Sequence, residues 1–196
     1  MRENSVFPDF KMVVCAAALA ACGGSESVAG DAGADAPRDV PRIDLDAARM
    51  APACSYTFQA DVRSGPSAGY ALRGQLTLVQ GASGAAAGVL VPDGVPANDR
   101  ARLVMVTAAV ASGSITMRFT LPDGRLVVGT GPFAGFSMCP GDVVGTLTGP
   151  SAGDMGDWRT IYIPLSYGCA FCLGYCMANG SSNSTCGDAC TFGGQC

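Results

Sequence analysis

Cysteine spacing sets the tightest limit on what this chain can fold into. Six of its ten cysteines fall in the last 28 residues, as C-x2-C-x3-C-x9-C-x3-C-x5-C over Cys169, Cys172, Cys176, Cys186, Cys190 and Cys196. That stretch is rich in Gly, Ser and Asn, with too few apolar residues for a core of its own, so covalent links must replace one. Two further cysteines, Cys54 and Cys139, lie in the middle of the chain, and Cys15 and Cys22 lie near its start. Whether any of them pair depends on the redox compartment, and the first residues carry that information.

Residues 1–21 read as an export signal. Arg2 and Lys11 precede an apolar run, Met12 to Ala21, of ten residues. A transmembrane helix needs about 20. The run ends in Leu19-Ala20-Ala21-Cys22, which resembles the lipobox of bacterial lipoproteins in all four positions. The resemblance covers about a tenth of the chain. It implies a diacylglyceryl group on the Cys22 sulfur, cleavage just before Cys22, and a lipid-anchored protein of the cell envelope. Gly23, in place of an aspartate there, implies the outer membrane rather than the inner one. Ala18-Leu19-Ala20 also fits an ordinary cleavage site that releases a soluble protein.

Residues 22–50 are expected to form a lipidated, disordered tether. Glu26 and five aspartates against three arginines give this stretch a net charge of −3, and it has no apolar periodicity. Such a composition cannot bury enough surface to offset chain entropy.

Residues 51–168 carry β signals almost throughout. In Ser114–Leu121, Ile115, Met117, Phe119 and Leu121 alternate with Ser114, Thr116, Arg118 and Thr120. One face is dry and the other wet, as in an antiparallel sheet. Ser112-Gly113 and Pro122-Asp123-Gly124 supply tight turns on either side. The pattern predicts an all-β domain of about eight strands, near 54–62, 70–80, 85–91, 101–111, 113–121, 125–133, 142–149 and 158–165. Short connections favour an antiparallel meander, closed as an up-and-down barrel or folded as a sandwich, with the barrel preferred. No helix is expected after residue 22. Few aromatics and strands bearing Arg73, Arg102, Arg118 and Arg159 speak against a membrane-inserted barrel.

With Cys15 removed and Cys22 lipidated, eight cysteines remain, an even set in an exported chain. Proximity in sequence favours Cys54–Cys139 within the β domain. The other six then pair within a small disulfide-rich tail, 169–196, in an order left open. Cys169-Ala170-Phe171-Cys172 is a C-x-x-C, but no βαβ pattern surrounds it to make a redox site. A metal site is disfavoured by the oxidising compartment and by the absence of histidine.

Residue types narrow the chemistry further. The lack of His excludes Ser-His-Asp and Cys-His catalysis. Lys11 and Glu26, the only lysine and the only glutamate past residue 21, both lie outside the β domain. Asp154 and Asp157, in Gly153-Asp154-Met155-Gly156-Asp157-Trp158, are the best carboxylate pair, a weak candidate for calcium, a sugar or acid–base work. A β-turn accounts for the same residues more simply. Residues 51–196 hold seven Arg and eight Asp, with no basic patch for nucleic acid.

No cofactor is expected. The sequence points to a lipid-anchored envelope protein whose β domain is a structural or interaction module and not an enzyme. The alternative is binding of a small apolar ligand inside a barrel, lipocalin-like at the level of fold analogy.

Overall fold

The computed structural model describes residues 43–196. The export signal, Cys22 and most of the acidic spacer therefore lie outside the described residues. Eight antiparallel strands follow one another around a closed barrel. They are β1 (Ala53–Ser64), β2 (Ala71–Gln80), β3 (Ala86–Pro92), β4 (Val104–Ala111), β5 (Ser114–Thr120), β6 (Leu126–Pro132), β7 (Val143–Thr148) and β8 (Met155–Ile163). The barrel is the form preferred from sequence, and the sandwich is set aside.

Its two ends are built from different connections. The proximal end holds the start of β1, the β2–β3 and β4–β5 turns, the 133–142 loop between β6 and β7, and the end of β8. The distal end holds the loops 65–70, 93–103, 121–125 and 149–154. At the proximal end, Ser112 and Gly113 both take positive φ, 50° and 76°. A two-residue hairpin turn that matches strand twist needs that pair of conformations.

An eight-stranded barrel is just wide enough for side chains to fill. Ile115, Met117 and Phe119 point inward and are buried, with Tyr56, Phe58, Leu76, Leu78 and Trp158 around them. The Phe58 ring sits 4.9 Å from Phe119 and 6.0 Å from Trp158. Glycines on β6 and β7 make room for the indole. A Cβ on Gly131 would come within 2.6 Å of Trp158 Cζ2, and one on Gly145 would overlap the same ring. These strand glycines are a slot for a large side chain.

Three helices correct the expectation of none. The first, α1 (Leu45–Arg49), falls within the stretch read as tether. Asp44 caps it by accepting from the amides of Asp46 and Ala47, and Ala48 is buried against Val79 and Phe171. An apolar contact and a cap thus order residues that composition alone assigns to the spacer. The other two, α2 (Cys169–Ala178) and α3 (Asn183–Phe192), occupy the tail. Ser182 caps α3 through the Thr185 amide.

All eight downstream cysteines are paired. Cys54–Cys139 joins β1 to the 133–142 loop, and the tail holds Cys169–Cys196, Cys172–Cys190 and Cys176–Cys186. Cys172 and Cys176 are four residues apart, as are Cys186 and Cys190. Each pair lies on one face of its helix, and the two faces are stapled together. The sulfurs sit with Val89, Leu103 and Leu173 in a second buried cluster outside β2 and β3. Gly174 lets α2 approach closely, since a Cβ there would lie 3.2 Å from Val79 and 3.4 Å from the Gly88 Cα.

Candidate functional site

The carboxylates singled out from sequence serve separate structural roles. Asp154 closes the distal end just before β8 begins. It is only 2 % exposed, and its two oxygens accept from the backbone amides of Ser67 and Ser151, both at 2.8 Å. Ser67 and Ser151 also share a hydroxyl hydrogen bond of 2.9 Å. Burial works to raise the Asp154 pKa, but the hydrogen bonds from Ser67 and Ser151 outweigh it and hold the carboxyl below its ordinary value. The residue is a clamp between two loops.

Asp157 lies on β8 itself, which starts three residues earlier than the alternation alone places it. It receives two hydrogen bonds from Arg63, Nε at 2.6 Å and Nη2 at 3.0 Å. The register of β1 against β8 shifts between Val62 and Ser64, so Arg63 is the extra residue of a bulge. The hydrogen bond and charge of Asp157 raise the Arg63 pKa further. The Asp154 oxygens thus face amides and those of Asp157 a guanidinium, so the two carboxylates are engaged with separate partners. Among the described residues, no group of three or more Cys, Asp or Glu is placed to hold a metal ion.

The outer wall nearby is a polar network. Arg73 pairs with Asp61 at 3.1 Å, and Arg159 donates twice to Gln59 Oε1. Gln59 donates in turn to Asp61. A wall of this kind is not the apolar band that a membrane barrel shows to lipid.

The interior tells more. A cavity of about 10 Å³ lies in the barrel, lined by apolar Leu76, Leu78, Ile115, Met117, Phe133 and Val143 and by Tyr56, Trp158 and Thr160. It is far below the roughly 300–1,000 Å³ of a drug-sized ligand pocket, and side chains fill the barrel around it. Yet its three polar residues are the ones that stand out. Tyr56 Oη, Trp158 Nε1 and Thr160 Oγ1 are the only buried side-chain nitrogen or oxygen atoms without a hydrogen-bond partner among the described residues. The residues are 2 %, 2 % and 4 % exposed. Burial, with the nearby Tyr162, pushes the Tyr56 hydroxyl up to about 12.

These three residues come from neighbouring strands: Tyr56 from β1, Trp158 and Thr160 from β8. All point inward by the strand period of two. Sequence reading missed them. The one available signal was polar residues at inward positions of strands whose other inward residues are apolar.

No protein-family model, no curated protein and no solved structure matches this chain.

Proposed function

We propose that the chain is an exported protein of the cell envelope, lipid-anchored through Cys22 to the outer membrane. Its barrel and helical tail act as one structural or interaction module and not as an enzyme. The observation that carries this reading is the cysteine pairing. Every cysteine from Cys54 onward is bonded to another of that set, which leaves Cys22 without a disulfide role inside the domain. Four disulfides fit an oxidising, exported compartment. Among the described residues no helix is long and apolar enough to cross a membrane; on this reading the lipid supplies the membrane association. Two or more acyl chains are enough for stable anchoring.

The direct test is palmitate labelling of the full-length protein and of Cys22→Ser in a bacterial host. The reading expects label in the first and none in the second. Label in neither, with the protein present by immunoblot, overturns the anchor.

A further inference from the structure

Charge and exposed apolar surface are sorted to opposite ends of the barrel. In residues 51–168, Asp142 is the only charged residue of the proximal turns and strand ends, and Arg159 marks the middle of β8. Every other Asp and Arg of that stretch lies in a distal loop or in the distal half of its strand. Large apolar side chains show the reverse bias. Met50, Met138, Val144, Ile161 and Tyr162 are exposed toward the proximal end, Met50 and Met138 by 84 % and 75 %. At the distal end Leu126 and Met155 are exposed, each next in sequence to a charged residue, Arg125 and Asp154.

The five proximal residues are gathered around the start of β1. Met50 caps the C-terminal end of α1, three residues before that strand. Met138 adjoins Cys139, whose sulfur is bonded to Cys54. On β8, Tyr162 lies opposite Tyr56 and Ile161 opposite Thr57. Val144 lies opposite Arg159, which makes it a diagonal neighbour of Ile161 on the outer wall. Exposed apolar side chains grouped in this way mark a surface that meets something other than water.

The N-terminal connection singles out the occupant. Only residues 23–42 separate Cys22 from Ile43, and α1 delivers the chain to the start of β1, at the proximal end. A lipid on Cys22 brings this end to a bilayer first. Tyrosine, with an apolar body and a polar tip, suits the boundary between headgroups and acyl chains, and buried apolar area supplies the binding. The charges flanking the face, Asp44, Asp46 and Arg49 on α1 together with Asp142, sum to −2, so anionic headgroups do not attract it. We propose that the proximal end of the barrel rests on the lipid surface, with Met50, Met138 and Tyr162 dipping below the headgroups and the charged distal end turned away. The proposal rests on the envelope reading for the anchor that keeps the domain near lipid, whereas the face is given by the surface itself.

Met50 and Met138 stand at the face and Met155, also exposed, stands at the opposite end, so isotope-labelled methionine methyl groups report both ends in one NMR spectrum. The test places the full-length lipidated protein in phosphatidylcholine nanodiscs that carry a nitroxide lipid. The expected result is that the Met50 and Met138 signals lose most of their intensity while Met155 keeps its own. Met138→Asp combined with Val144→Asp, both at exposed positions, should restore the Met50 signal while thermal unfolding stays native, an effect that nearness to the anchor alone would not give. Cys22→Ser protein mixed with the same nanodiscs at high lipid reads the face without the lipid group, and should show the same selectivity more weakly. Selectivity there, with no palmitate label on the native chain, ends the anchor and keeps the face. Equal broadening at both ends, or none at either end in both proteins, overturns the face even where palmitate labelling establishes the anchor. So does Met50 broadening that survives the double substitution. Met50 and Met138 shifts that grow with protein concentration in the absence of lipid also overturn it, since the face then pairs copies of the chain.

Discussion

The two ends of the barrel are closed by different physics. At the distal end, Asp154 joins the 65–70 and 149–154 loops with both oxygens occupied, and the Arg63–Asp157 and Arg125–Asp123 pairs lie at the same end. At the proximal end, a disulfide and two aromatic rings hold a loop over three polar atoms that have no partner. One end is sealed by satisfied polar groups and the other by a covalent link over unsatisfied ones. A covalent tie holds a loop close without requiring its every group to be matched.

The contrast can be broken most forcefully at the disulfide. The Cys54–Cys139 bond spans 85 residues of sequence, and removing it with Cys54→Ala and Cys139→Ala should cost about 2–4 kcal/mol. Urea unfolding measures this. The same treatment of Cys176–Cys186, which spans only 10 residues, should cost less on the chain-entropy model.

The indole slot comes next. Gly145→Ala would force a methyl into Trp158 and the Thr130 carbonyl oxygen, with an expected loss of about 1–3 kcal/mol in the same measurement.

At the distal end, Asp154→Asn should speed hydrogen exchange at the Ser67 and Ser151 amides about tenfold, the scale of one weakened hydrogen bond. The Asp154 pKa is lowered in the folded state. Its contribution to stability is therefore present above the ordinary carboxylate pKa and lost as pH falls through the lowered folded value. Acid should loosen the distal loops accordingly.

The proximal end responds in the opposite sense to loss of polar groups. Tyr56→Phe and Thr160→Val each remove an oxygen that has no protein partner, and each should stabilise the barrel by about 1 kcal/mol. The Tyr56 hydroxyl is pushed up to about 12 from 10.0. That raised value gives stability fully present below pH 10 and lost as pH rises toward 12. Tyr56→Phe should flatten this alkaline limb, read from unfolding curves against pH.

Much of the barrel could be read from sequence because its signal is local. Ile115, Met117 and Phe119 alternate with wet neighbours over seven residues, and Ser112-Gly113 marks the turn before them. The helical tail could not be read that way. The buried faces of α2 and α3 mix cysteine with only a few other apolar residues, Phe171, Leu173, Ala178 and Ala189, and Gly174 and Gly187 lower the helix propensity. The four-residue spacing of Cys172 with Cys176 and Cys186 with Cys190 was the helical signal, visible only once those pairs are taken as one face of each helix. Residues 44–50 escaped because a single cap and one buried alanine, Ala48, order them. The role of Asp154 depends on Ser67, 87 residues away. The convergence of Tyr56 on Trp158 and Thr160 depends on closing the barrel between β1 and β8. Neither contact has a local signature.

The difference between the ends is tested most directly by hydrogen exchange, residue by residue, on the Cys54→Ala/Cys139→Ala protein beside the native one. If the proximal end is held by its covalent tie, exchange rises through 133–142 while the amides of 65–70 and 149–154 keep their native protection. Equal loosening of both ends, or an unchanged 133–142 loop, would contradict the division of labour between them.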